Sequence, residues 1–190
     1  MPTDRKSKNV SFLLYILSKF INQIVEQNLI AESSVVSLSR RQFEILKILH
    51  ISGAFSVSNL ARFLMISRPA ASKSVHNLVT HGLVERTIPD TDRRMAIVRI
   101  LPEGERIVER YFQLRRQKEN RIFTHFDNKE LAELERILHQ YITILLHEYR
   151  HEVDLICLHC NTSYSEACPL LKEGNKSCYH TLIRSLTETA

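Results

Sequence analysis

Between residues 10 and about 31, the apolar positions Leu13, Ile16, Leu17, Phe20, Ile21, Ile24 and Val25 recur at helical spacing but cover more than one face. A helix this apolar needs cover on more than one side, which a partner subunit can supply. The polar, basic residues 1–9 ahead of it are expected to form a loose tail. Ser39 then reads as the N-cap of a helix from Arg40 that turns Phe43, Leu46 and Leu49 inward and ends at Gly53. A short helix over 57–64 comes next, with Leu60, Phe63 and Leu64 as its apolar face. After a turn at Met65-Ile66, Ser67 caps another helix, with Pro69 tolerated in its first turn and Gly82 beyond its end. Its inward positions are Ala71, Val75, Leu78 and Val79. Its outward ones are Arg68, Ser72, Lys73, His76 and Asn77.

The period then switches from helical to alternating. Segments 83–88 and 94–101 flank the turn-rich Pro89-Asp90-Thr91-Asp92, which predicts a β-hairpin with a charged tip. Two helices with a short turn between them, followed by a basic hairpin, spell a winged helix-turn-helix. Pro102 suits the first turn of a helix to about 126, and Asp127 or Asn128 can cap a further one. There Leu131, Leu134, Leu138, Tyr141 and Leu145 form an amphipathic stripe that Tyr149, Val153 and Ile156 extend. Residues 157–190 read as loop-like, with a last helix over 179–186. The expected fold is mainly α with a small β-hairpin wing. Its divisions are an N-terminal dimerisation helix and tail (1–39), a winged helix-turn-helix (40–101), C-terminal dimerisation helices (102–156) and a cysteine-rich extension (157–190).

Composition narrows the class. Apolar residues make up 44% and charged residues 25% of the 190, and only four glycines and five prolines occur, as a largely helical globular chain requires. The longest apolar run near the start is too short to span a bilayer, so no membrane association and a cytoplasmic location are expected. The net charge is +5. Between Ser56 and Ile100, seven Lys or Arg stand against three acids, a compact basic excess of the kind a phosphate-facing surface needs. Ser67, Arg68, Ser72, Lys73 and Arg86 are read as DNA contacts, and His76 and Asn77 as bonding to bases or phosphates. For Arg62 and Arg99 a solvated surface is the safer reading.

The stretch Arg41-Gln42-Phe43-Glu44-Ile45-Leu46, then Asn59-Leu60-Ala61, Ser67-Arg68-Pro69-Ala70-Ala71-Ser72-Lys73, Gly82-Leu83-Val84-Glu85-Arg86 and Asp92-Arg93-Arg94 resembles the MarR-type regulators. The likeness covers roughly residues 10–150, with the motifs in order and at the right spacing. It implies an obligate homodimer with intertwined terminal helices and two winged-helix lobes on a palindromic operator in double-stranded DNA. It places the helix capped by Ser67 in the major groove and the wing tip around Asp92, Arg93 and Arg94 at the minor groove, with Asp92 holding one of the two arginines in place. Leu101-Pro102-Glu103-Gly104 departs from the pattern, because Pro stands where many relatives carry a capping Thr. Relatives typically stop near the position of Tyr149, so the family says nothing direct about the cysteine-bearing residues beyond it.

Those residues carry a thiol cluster. Cys157, Cys160, Cys168 and Cys178, spaced C-x2-C-x7-C-x9-C, are all the cysteines of the chain. Four soft ligands favour zinc or an iron–sulfur cluster over hard cations. A single tight pair and the Cys168-Pro169 step lean towards a 4Fe–4S cluster, with zinc and a thiol–disulfide switch as alternatives. His139, His147 and His151 are better read as surface histidines than as a zinc site. No Gly-rich phosphate loop, G-x-S-x-G or carboxylate pair supports catalysis, so the chain is read as a non-enzyme. The leading reading is a repressor tuned by a redox- or iron-sensing cluster. The alternatives are a regulator with a structural zinc site that senses a small aromatic effector in the cleft between lobes, and an electron-transfer protein on a winged-helix scaffold.

Overall fold

The computed structural model describes residues 5–88, 96–149, 168 and 169. Helix α1 (Arg5–Lys19) runs through a π-helical segment (Phe20–Val25) into α2 (Glu26–Ser33). Residues 5–9, expected as tail, are therefore helical: Lys6 and Lys8 are good helix formers with exposed side chains, and nothing in this stretch breaks the turn. In the π segment the Glu26 N–H reaches back five residues to the Ile21 carbonyl. The Asn22 side-chain amide donates to the Ser18 carbonyl at 2.9 Å.

Helix α3 (Arg40–Ser52) starts with a full capping box. The Gln42 N–H donates to Ser39 Oγ, and Gln42 Oε1 accepts from the Ser39 N–H at 2.8 Å. Strand β1 (Ala54–Ser56) comes after Gly53, whose φ of 70° turns the chain sharply, and Ser56 caps α4 (Val57–Phe63). Helix α5 (Arg68–Thr80) is capped by Ser67. Strands β2 (Val84–Thr87) and β3 (Ile97–Ile100) are antiparallel, with Val84 opposite Ile100 and Arg86 opposite Val98. The expected hairpin is thus part of a three-stranded sheet of order β1-β3-β2, in which Phe55 pairs with Val98. Three residues are too few for alternation to reveal β1 in the sequence.

Helix α6 (Pro102–Phe123) begins without a side-chain cap, since Leu101 and Pro102 offer none. It is held by contact with the hairpin instead. The Leu101 N–H donates to the Leu83 carbonyl at 3.0 Å, and Gly104 packs against that same carbonyl. Helix α7 (Asn128–Glu148) is capped by Asp127, with Glu130 completing the box. Tyr149, at φ −115° and ψ 37°, is the C-cap of α7, and Val153 and Ile156, expected to extend the stripe, lie outside the described residues.

The core gathers Leu29 and Ile30 of α2, Phe43, Leu46 and Leu49 of α3, Leu60 of α4, Val75 and Leu78 of α5, Val98 of β3, and Ile107, Val108 and Tyr111 of α6. Val79, expected inside, is 37% exposed, because α5 turns only its Ala71, Val75 and Leu78 line to the core. The apolar residues of α1 and α7 behave differently. Phe12, Leu13, Leu17 and Phe20, and Ile137, Tyr141, Ile144 and Leu145, are all exposed in the single chain. No helix among the described residues is long and apolar enough to cross a membrane.

Candidate nucleic-acid interface

Helix α5 gets its orientation from both ends and from its buried line. Ser67 Oγ accepts the Ala70 N–H at 3.3 Å, Pro69 fixes the first turn, and Gly82 (φ 66°) releases the chain beyond His81. With Ala71, Val75 and Leu78 locked in the core, the opposite face is determined. Arg68, Lys73, His76 and Asn77 are exposed on it, and Ser72 lies half-buried at its edge. Six of the nine residues singled out for DNA contact therefore lie on this helix or its cap. Ser67 already uses one lone pair as the cap, which leaves its hydroxyl hydrogen for a further acceptor. Free N–H groups and the helix dipole make this N-terminus favourable for an anion.

The connection from α4 into α5 is tight. Met65 takes a left-handed conformation, φ 52°, and the Ile66 N–H donates to the Ala61 carbonyl at 2.9 Å. Its side chain is exposed beside the recognition face. Arg86 is exposed on β2, beyond the end of the helix. Arg62 and Arg99 are exposed as well, in line with the expected solvated positions. Arg93 and Arg94, with Asp92, lie outside the described residues, as do Cys157, Cys160 and Cys178. Cys168 is described; it is a free thiol, half-buried. His139 and His147 are exposed, as surface histidines should be.

A buried polar junction, which no local pattern in the sequence predicts, links the N-terminal helices to this lobe. The Glu26 carboxylate at the start of α2 is 7% exposed and pairs with Arg40 Nη2 of α3 at 3.1 Å. Tyr111 of α6 donates its hydroxyl to Glu26 Oε1 at 3.4 Å. Its ring packs 4.5 Å from that of Phe43. Burial, and then the neighbouring Glu26 charge, push the Tyr111 hydroxyl up to about 12. At Arg115 burial disfavours the charge, but the hydrogen bond to Glu119 and the nearby carboxylates outweigh it and hold the guanidinium protonated. On the other side of the lobe, His50 at the end of α3 hydrogen-bonds Glu105 in the first turn of α6. The one local clue to the junction is Glu26 itself, a carboxylate directly after an apolar run.

The sequence model of the MarR family matches residues 38–95, from the residue before the Ser39 cap to a point between β2 and β3. The chain carries a MarR-family domain. Over 94 residues it is 31% identical to YdgG of Bacillus subtilis (strain 168), an HTH-type transcriptional regulator. That alignment covers 48% of this chain and 59% of YdgG, so the likeness spans about three-fifths of the relative. The fold superposes on YusO of Bacillus subtilis with a TM-score of 0.65 at 19% identity, covering 75% of this chain and 98% of YusO. It also matches Streptococcus pneumoniae FabT, solved in complex with DNA, with a TM-score of 0.58 at 18% identity over 73% of this chain and 96% of FabT. At these identities the structural likeness is one of fold.

Proposed function

We propose that this protein is a homodimeric transcriptional regulator, a repressor that binds a palindromic operator. In this reading Cys157, Cys160, Cys168 and Cys178 hold an iron–sulfur cluster that tunes its DNA affinity. The observation that carries the DNA-binding reading is the exposed face of α5, where Arg68, Lys73, His76 and Asn77 stand over a buried apolar line in a MarR-family domain. That face is rigid, cationic and rich in donors, as insertion into the major groove demands. Arg68 and Lys73 neutralise phosphates, and His76 and Asn77 reach base edges. Arg86, with Arg93 and Arg94, follows the backbone towards the minor groove. Two copies are needed to cover two half-sites about 34 Å apart. The exposed apolar residues of α1 and α7 supply a surface for that pairing, since a patch of this kind is costly in water.

The thiolate set suits a soft metal centre, and the half-buried free thiol of Cys168 is compatible with a ligand role. A bound 4Fe–4S cluster would supply redox- and oxygen-sensitive chemistry beside the C-terminal helices. The chain's own part is to present the thiolates and to transmit their arrangement to the spacing of the two α5 helices.

The test begins with the full chain purified without oxygen. Iron and sulfide near four per subunit, with absorbance near 400 nm, is the expected result. A colourless protein with stoichiometric zinc would replace the cluster with a zinc site. Operator affinity should change on exposure to air and become insensitive in each of the four Cys→Ser variants. Failure to bind duplex DNA in a salt-dependent way would overturn the regulator reading as a whole.

A further inference from the structure

Below the end of α6, one face of α7 lines an apolar groove of about 470 Å³. Phe123 of α6 and Leu131, Leu134, Leu138 and Ile142 of α7 form its walls, and Pro169 closes it. Pro169 directly succeeds Cys168 in sequence, so one of the four thiols sits next to the residue in the groove.

The geometry points to an intramolecular dock: Cys168-Pro169 anchors the cysteine-bearing segment of the chain in the α6–α7 groove of the same subunit, with Pro169 as its apolar plug. Proline suits an apolar site because its ring is apolar and it brings no N–H that would need a partner there. The tether is long enough. Helix α7 ends at Glu148, and from there back to Leu138 is about 15 Å along the helix axis at roughly 1.5 Å per residue. The residues between Glu148 and Cys168 span up to about 60 Å when extended, at roughly 3.3 Å each, so return to the same helix is unstrained. The groove shares α7 with the surface proposed for subunit pairing, because Tyr141, Ile144 and Leu145 continue the helix from Leu138 and Ile142. Any change at the thiols is thereby applied to the dimerisation helices and not to a remote tail. This regulatory consequence rests on the proposed cluster; the dock itself does not.

Cross-linking separates the possibilities. The full chain would carry Cys157→Ser, Cys160→Ser and Cys178→Ser, leaving Cys168, with a second thiol introduced by His139→Cys. His139 lines the groove and is exposed, so the exchange leaves the core untouched. Gln140→Cys, on the far side of α7, is the control. A short bismaleimide should link Cys168 to the thiol at position 139 within one subunit, running at monomer mass, at least tenfold faster than to position 140. Pro169→Asp should abolish that preference. Cross-links at dimer mass only would give the groove to the partner subunit and overturn the proposal. Equal rates at positions 139 and 140 would overturn it too. Three of the four cysteines are serine in this experiment, so its outcome is independent of the metal content measured on the unaltered chain.

Discussion

Gly104 shows how little room a single residue can leave. A Cβ built there would collide with the Leu83 carbonyl and stand 2.8 Å from Ile100 Cγ1, both at the base of the hairpin. The Leu83 carbonyl is also the acceptor for Leu101, so it cannot retreat without losing that bond. Gly104→Ala should therefore destabilise the fold by about 1–3 kcal/mol, the usual cost of overpacking, which urea unfolding would read as a lower midpoint. Tyr111 offers a second test. Because its hydroxyl is pushed up to about 12, the folded state holds that proton more tightly than the unfolded chain. The resulting stabilisation is fully present below about pH 10 and lost as the pH rises towards 12. Tyr111→Phe should remove this alkaline slope and cost about 1 kcal/mol at neutral pH, as Glu26 loses a donor. Thermal melts between pH 8 and 11 would show parent and variant converging. Neither residue announces its role in the sequence. Tyr111 and Glu26 stand 85 residues apart in the chain, and no local spacing encodes such a meeting.

At the scale of elements, α5 is the best-marked part of the chain. Its cap, its proline, its terminal glycine and its Ala71–Val75–Leu78 line are all local signals, and the structure agrees with them apart from Val79. On the proposed reading, the exposed face of α5 makes two kinds of contact with different signatures. Lys73→Ala should weaken binding to all duplexes alike and lower the slope of log affinity against log salt by about one. Asn77→Ala should instead flatten the preference for particular bases, costing about 1–3 kcal/mol on the operator and little elsewhere. Fluorescence anisotropy on operator and scrambled duplexes, over a range of salt, distinguishes the two. An equal effect of both variants on both duplexes would remove the assignment. Strand β1 is the counterexample among the elements. It exists because β3 offers it a paired edge, which is a property of the sheet and not of its three residues.

For the molecule as a whole, the pattern along the chain marks α1 as more apolar than a lone subunit can hide, and the structure leaves its apolar residues and those of α7 exposed. A charge in that surface should be far more harmful to association than to folding. Leu17→Glu, at a side chain 48% exposed in the single chain, should shift the protein from dimer to monomer in light-scattering measurements, and its unfolding midpoint should fall and cease to depend on protein concentration. Operator affinity should fall steeply, because each lobe would then bind its half-site alone. Where the sequence is least informative is beyond α7. There the cysteine spacing states a chemistry without a place, and among the described residues Cys168, with Pro169 in the groove, gives it a location.

The π-helical turn at Phe20–Val25 has a consequence for heredity. Such a turn accommodates one residue more than an α-helical path of the same length, which offsets the two halves of the helix by about 100°. Upstream of it the apolar side chains look outward, and downstream Leu29 and Ile30 look into their own core. Losing the codon for Asn22 or Gln23 would spare the apolar side chains of both surfaces and still re-aim one against the other. In the proposed dimer, the partner lobe would then meet the same double helix from a different angle.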